Sequence, residues 1–352
     1  MLPLGWDEEW AEAFPVDAPD AEPGRVVRVD RGLCTVHAAS GVVRATYGGI
    51  LLESIAEDPS STPCTGDWVV VRHWPDDVRT IEAVLPRRTS VTRAEVTGSS
   101  RVQVLAANLD VVAVVAALVP EPVIGKLERL VALAWSSRAR PAVLLTKTDL
   151  VNDAREIAED VAAAAPGTDV ICCSVVTGQG LDELRALIGP QGTLGLLGPS
   201  GAGKSSLVNA LVGADTLPTR EIRADGRGRH TSVARELVML PGGGAIVDTP
   251  GLRGVGLIDA EQGLASTFGD IEELAGACRF NDCSHTTEPG CAVLAAVEEG
   301  TLPVRRLESW RKLRREMARM AARTDARLRR EQTRLSKQRT KDARQERRRR
   351  TE

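Results

Sequence analysis

Apolar and polar positions alternate in short runs through the N-terminal part of the chain. Arg25-Val26-Val27-Arg28-Val29, Cys34-Thr35-Val36, Val42-Val43-Arg44-Ala45-Thr46, Trp68-Val69-Val70-Val71 and Thr80-Ile81-Glu82-Ala83-Val84 are rich in β-branched residues and divided by Gly, Asp and Pro, which predicts five strands. Over residues 24–92 these fit a small β-barrel of the oligonucleotide-binding type, or another small barrel or sandwich with a purely structural role. Beyond it the period changes. Leu109–Leu118 is almost continuously apolar, as in a strand buried on both faces, and Lys126–Trp135 sets Leu127, Leu130, Val131 and Ala134 on one face of a helix. Buried-strand runs recur at 141–145, 170–173, 194–197 and 244–247, and helical patterns at 152–165, at 182–188 and after Lys204. This alternation predicts an α/β domain with a parallel sheet over residues 93–255.

Composition adds what the pattern omits. Residues 1–23 carry Asp7, Glu8, Glu9, Glu12, Asp17, Asp20 and Glu22 among Pro and Ala and read as a disordered acidic lead-in. No stretch nears the ~20 apolar residues needed to cross a bilayer, so no membrane partner is expected. The net charge of −3 conceals a division: Val304–Glu352 holds 20 Lys+Arg against 7 Asp+Glu, leaving 25 against 41 in the rest. Glu308, Glu316 and Glu331 can neutralise part of that charge along a solvated helix, and the excess favours RNA phosphates. Aromatic residues are only 3% of the chain, so contact with RNA backbone or shape is a better expectation for the barrel than base stacking.

Nucleotide chemistry is concentrated in three places. Gly198-Pro199-Ser200-Gly201-Ala202-Gly203-Lys204-Ser205-Ser206 follows an apolar strand and opens a helix, the context in which a Gly-rich loop turns its N–H groups onto phosphate oxygens. Lys204 is then expected at the β- and γ-phosphates and the Ser205 hydroxyl on Mg²⁺; the plainer alternative is a Gly/Ser turn before a helix. Asp248-Thr249-Pro250-Gly251 also leaves a strand, with Asp248 expected in the Mg²⁺ shell and Gly251 N–H at the γ-phosphate, although such a sequence is also a common strand exit. Upstream, Thr146-Lys147-Thr148-Asp149 follows a strand, and the Asp149 carboxylate can accept hydrogen bonds from guanine N1–H and the 2-amino group. Ser174, after another strand, opens a turn able to pack against the base. An ordinary GTPase has its phosphate loop first; here the base-reading motif precedes it.

Three of seven cysteines and one of four histidines cluster as Cys278, Cys283, His285 and Cys291 among turn-forming Asn281, Asp282, Pro289 and Gly290. Four such ligands suit one structural Zn²⁺ with no open position for catalysis, in a helical module over 256–326; a disulfide pair with a chance histidine is the alternative. Cys34, Cys64, Cys172 and Cys173 form no disulfide framework and no signal peptide is evident, so a cytoplasmic location is expected.

The order base-reading motif, Ser174 turn, phosphate loop, Gly226-Arg227-Gly228-Arg229-His230-Thr231, Asp248-Thr249-Pro250-Gly251 resembles the ribosome small-subunit-dependent GTPase A family, the circularly permuted GTPases of bacterial ribosome assembly. The resemblance runs from about Gly24 to Ala326 and fades in the basic tail, 327–352. It implies a multidomain α/β protein: an oligonucleotide-binding-type barrel, a circularly permuted phosphate-loop GTPase domain and a C-terminal helical module whose Zn²⁺ is held by Cys278, Cys283, His285 and Cys291. It further implies Mg²⁺-dependent hydrolysis of GTP to GDP, and binding to the small ribosomal subunit and its 16S rRNA late in assembly, with release on hydrolysis; nothing in the sequence demands more than a monomer. Leu252 stands where many GTPases carry a water-orienting Gln, and the resemblance makes His230 the replacement, with Thr231 completing the Mg²⁺ shell. A surface histidine is the plainer reading of His230. Thr146 replaces a usual Asn and loses an amide that tethers the base-reading loop, so weaker or looser guanine binding is expected; Ser232 and Val175 replace Thr and Ala. Connectivity adds that the segment after Gly251 runs directly into the C-terminal module, so hydrolysis is expected to move that module relative to the barrel. Two other functions fit the residues: an NTPase acting on another structured RNA, and a nucleotide-gated RNA-binding scaffold with negligible catalysis.

Overall fold

The computed structural model describes residues 4–15, 20–94, 102–213, 236–248 and 261–324. A short helix, α1 (Glu8–Ala13), precedes strands β1 (Ala21–Asp30), β2 (Leu33–Ala38) and β3 (Gly41–Tyr47), helix α2 (Gly49–Glu57) and strands β4 (Trp68–His73) and β5 (Arg79–Val84). The strands pair in the order β1-β2-β3-β5-β4 and β4 returns to β1, so the five predicted strands close into a barrel. Val26, Cys34, Val36, Ala45, Val69, Val71 and Ile81 fill it, with Leu51 of α2 in the same core.

The lead-in expectation is corrected at α1. Asp7 caps the helix by accepting from Trp10 N–H at 3.0 Å, and Trp10 is buried. Trp6, Trp10 and Phe14 join Trp68, Val70 and Leu85 in a cluster on the side of β4 away from the barrel core. Asp7, Glu8, Glu9 and Glu12 remain exposed, and Arg88 pairs with Asp7 at 2.6 Å and Glu9 at 3.0 Å. The acidic residues are therefore the outer face of an amphipathic segment whose inner face is aromatic.

A hairpin, β6 (Ser90–Ala94) with β7 (Val102–Ala107), follows, so the expected boundary after residue 92 falls inside a strand. Val91 and Leu105 already belong to the core of the α/β domain. That domain contains β8 (Val111–Ala117), α3 (Ile124–Ser136), β9 (Arg140–Thr146), α4 (Ala154–Ala164), β10 (Asp169–Cys173), α5 (Leu181–Ile188), β11 (Thr193–Leu197), α6 (Lys204–Val212), β12 (Glu236–Met239) and β13 (Ala245–Asp248). Neighbours in the row β10-β9-β8-β11-β13 are parallel, and β12 joins the edge antiparallel to β13. Along β8, Val112 and Val114 face the core built with α3 and α4, while Val111, Ala113 and Val115 face that built with α5 and α6. Burial on both faces explains the unbroken apolar runs.

Helices α7 (Glu261–Thr267), α8 (Gly269–Ala275), α9 (Ala292–Glu298) and α10 (Val304–Thr324) complete the described chain. Among the described residues they have no separate core: Phe268, Ile271, Val293, Leu307 and Trp310 share one with Val131 and Leu127 of α3. Buried Arg306 locks the junction, donating to Glu128 of α3 at 3.3 Å, to the Ala164 carbonyl at 3.0 Å, to the Thr267 carbonyl at 2.8 Å and to Asp270. Removing one partner of such a buried pair typically costs about 3–5 kcal/mol, so this contact fastens the C-terminal helices to α3.

Candidate nucleotide and metal sites

Parallel strands bring their carboxyl ends to one edge, and the chemistry collects there. Residues 198–203 turn out of β11 into α6, with Gly201 at φ 82° and Gly203 at φ 90° in the left-handed region. A side chain at Gly198 would place Cβ 2.4 Å from the Val115 carbonyl oxygen, so only glycine lets this exit run beside β8. Lys204 Nζ donates to the carbonyls of Gly198 at 2.9 Å and Pro199 at 2.8 Å, holding the cation within its own loop. Ser205 and Ser206 occupy the first turn of α6, where free N–H groups and the helix dipole favour anions.

The base-reading residues leave β9 next to this loop. Thr146 Oγ1, buried, donates to the Ala202 carbonyl at 2.6 Å. The hydroxyl ties the two loops together where they already lie close, a Cβ on Gly203 falling 3.4 Å from the same oxygen. Thr146→Val keeps the shape and removes the donor, leaving a buried carbonyl unsatisfied at a cost of about 1–3 kcal/mol, or roughly a ten- to hundred-fold loss in affinity for both GTP and GDP. Titration of a fluorescent guanine nucleotide measures it; an unchanged dissociation constant would remove Thr146 from the tether.

Lys147 sits at φ 62°, turning the chain so that Thr148 and Asp149 follow in a 3₁₀ turn. Asp149 is exposed, while one of its oxygens accepts from the buried Ser174 hydroxyl at 2.6 Å. Ser174 Oγ in turn accepts from the N–H groups of Val176 and Thr177, both at 3.2 Å. Thr148 Oγ1 donates to Gln179 Oε1 at 3.1 Å, a second bridge between these loops that the sequence did not announce. Gly180, at φ 73°, has no room for a side chain, since its Cβ would lie 2.1 Å from the Cys172 carbonyl oxygen. Asp248 ends β13 beside Leu196 of β11. The residues expected at the γ-phosphate and the water, Gly251, His230 and Thr231, lie outside the described residues, as does the tail from 325.

On the far side of α3, Cys278, Cys283, His285 and Cys291 place their ligand atoms within 4.8 Å of one another. His285 Nδ1 lies 3.6 Å from Cys278 Sγ and 3.4 Å from Cys291 Sγ, and those sulfurs are 3.8 Å apart. Tetrahedral Zn²⁺ with bonds of about 2.0–2.3 Å sets its ligands roughly 3.3–3.8 Å apart, so the set fits one metal ion. All seven cysteines are free, which disposes of the disulfide alternative. Burial lowers the His285 pKa, the direction that favours a neutral, ligating ring. It sits in the left-handed region at φ 53°, its ring centroid lies 5.3 Å from that of Trp310, and Arg311 donates to its carbonyl. Cys291 Sγ also caps α9 by accepting from Leu294 N–H at 3.4 Å.

The family described as RsgA GTPase matches residues 84–258. The Small ribosomal subunit biogenesis GTPase RsgA of Streptomyces avermitilis is 50% identical over 336 residues, covering 94% of this chain and 89% of that protein; its namesake from Streptomyces coelicolor is 51% identical over 332 residues, covering 93% and 89%. The chain belongs to the RsgA GTPase family. Among solved structures, YjeQ from Thermotoga maritima superposes with a TM-score of 0.61 at 26% identity, over 83% of this chain and 97% of that one. YloQ, described as a circularly permuted GTPase, gives 0.60 at 24% identity over 89% and 99%, a likeness of fold alone. The fold of this RsgA-family chain, with its permuted order of motifs, is thus shared with a structure described as circularly permuted.

Proposed function

We propose that this RsgA-family GTPase binds the small ribosomal subunit through its 16S rRNA late in assembly and leaves when GTP becomes GDP and phosphate. The observation that carries the catalytic half is the tether from Thr146 to Ala202, which locks a guanine-reading loop to a phosphate loop at the sheet edge. The ribosomal half is supported by relatives of about half identity named for small-subunit biogenesis, and by Lys312, Arg314 and Arg315, which project from α10 as phosphate contacts.

In this reading Asp149 selects guanine, residues 198–206 and Gly251 cradle the phosphates, and Lys204 leaves its loop carbonyls for the β- and γ-oxygens. Ser205, Thr231 and Asp248 would hold Mg²⁺, which offsets charge gathering on the phosphates. His230 orients the attacking water in place of the Gln missing at Leu252. Zn²⁺ at the Cys₃His cluster serves to fold the loop between α8 and α9. The protein acts as a cytoplasmic monomer.

The test is GTP and ATP hydrolysis with and without purified small subunits, using Lys204→Ala as the blank. GTP-selective turnover raised by at least about ten-fold by subunits, and lost in the variant, is the expected result. GTP binding without stimulation would favour a nucleotide-gated scaffold, and stimulation by a different structured RNA would move the partner.

A further inference from the structure

The barrel and the α/β domain share one sheet. β12 is hydrogen-bonded to β13 on one side and, at Arg28↔Glu236, to barrel strand β1 on the other. The registers align into a single transverse row: Thr35, Arg28, Glu236, Asp248 and Leu196, on β2, β1, β12, β13 and β11. Asp248 is the expected Mg²⁺ ligand and Leu196 lies two residues before Gly198, so the row runs from barrel to nucleotide centre. Two strand spacings, about 10 Å, separate Arg28 from Asp248.

β1 is shaped for this contact. Its register with β2 shifts between Val26 and Arg28, a bulge at Val27. Such a bulge re-aims a side chain. Val26 points into the barrel core, whereas Val27 packs against the core that contains Leu237 of β12 and Val247 of β13. Val26 is also bound through both backbone groups, its N–H to the Asp67 carbonyl and its carbonyl to Gly66 N–H, each at 2.8 Å, so the bulge is fixed to the barrel. A rigid element thus enters the edge of the nucleotide-binding sheet beside the strand that ends in Asp248.

We propose that β1 is a positioning strand for the hydrolytic centre: displacement of the barrel by RNA is transmitted through Val27 and the Arg28–Glu236–Asp248 row to the strand carrying the Mg²⁺ ligand. Both halves of this statement rest on the proposed function, the RNA half on its ribosomal partner and the nucleotide half only on its assignment of the nucleotide and Asp248 to the sheet edge. Linkage requires reciprocity, so nucleotide bound at the sheet edge must also alter the protection of β1.

Hydrogen exchange with GDP or a non-hydrolysable GTP analogue tests that directly. In the unmodified protein, amides of β1 and of β12 should both change exchange rate by about three-fold or more between the two nucleotides. In Val27→Asp, which sets a carboxylate in the junction without touching the barrel core, β12 should still respond and β1 should not. The same variant should keep basal GTP turnover, hold KM for GTP within about two-fold and lose at least about ten-fold of the subunit-stimulated kcat, while Val27→Ile keeps all of it. A β1 indifferent to nucleotide in the unmodified protein while β12 responds, or full stimulation of Val27→Asp, overturns the proposal. If Val27→Asp unfolds the barrel, the exchange result on the unmodified protein decides. If subunits fail to stimulate the unmodified protein, the ribosomal reading falls and the exchange measurement still judges the coupling.

Discussion

Asp149→Asn is expected to reduce GTP affinity by about a hundred- to a thousand-fold and to transfer preference to xanthosine triphosphate. The reason lies in the bonds behind the residue. Ser174 Oγ already accepts from two backbone N–H groups, so its own proton must be donated, and Asp149 receives it at 2.6 Å. An asparagine there must turn its carbonyl oxygen toward Ser174, which leaves its amino group facing the base. Guanine presents its N1–H and 2-amino donors to that side, so donor meets donor, and two unmet polar groups at about 1–3 kcal/mol each give the predicted loss. Xanthine carries a carbonyl at the same carbon and would accept from the amide. Competition titrations with GTP, xanthosine triphosphate and ATP decide the matter. If Asp149→Asn binds GTP within about three-fold of the unmodified protein, guanine is read elsewhere.

The barrel and the parallel sheet were legible because burial dictates their pattern. A strand covered on both faces must be apolar throughout, as 111–115 are, and one covered on a single face must alternate, as 33–38 do in β2. The cluster Cys278, Cys283, His285 and Cys291 was legible because closely spaced ligands on turns carry their geometry in their spacing. Features decided by long-range contact were not. The stripe Trp6, Trp10 and Phe14 was hidden by the carboxylates around it, and only the apolar outer side of β4, with Trp68 and Val70, explains why those aromatics order. β12 follows a long segment with no periodic signal, and its pairing with β1 is recorded nowhere in local sequence. The bond from Thr146 to the Ala202 carbonyl was not legible either, because sequence shows the shorter side chain and not the 2.6 Å contact it makes.

The junction between α3 and the C-terminal helices alters the mechanical expectation drawn from connectivity. Arg306, Glu128 and Asp270 meet inside a core that the GTPase domain and the helices share, so these parts are fastened together. The barrel meets the GTPase domain through the pairing of β1 with β12 and also through bonds from Arg25 to the Asn108 carbonyl, from Asn108 to the Gly66 carbonyl and from Ala107 N–H to the Thr65 carbonyl, so any movement expected on hydrolysis has to act across both junctions.

Removing the metal, by a strong chelator or by Cys283→Ser, is expected to unfold the loop between α8 and α9 while leaving guanine-nucleotide affinity within about three-fold. Structural zinc contributes about 10–16 kcal/mol of binding free energy in small modules near neutral pH, and where loop and site form together that energy is folding energy. Residues 276–291 contain no helix or strand of their own, so their order depends on what joins Cys278, Cys283, His285 and Cys291. Without the metal, the buried His285 and Cys291, at the start of α9, lose their common partner. α8 and α10 keep the Arg306 bonds and their apolar contacts with α3, so the loss should stop short of the GTPase domain. Elemental analysis should find one zinc per chain, and hydrogen exchange should show protection lost across the loop and α9 but retained in β8, β9 and β11. Trp310, against the His285 ring, offers a fluorescence signal for the same event. A metal-free protein with the loop still protected would show that packing on α3 suffices and that the cluster is not what folds it.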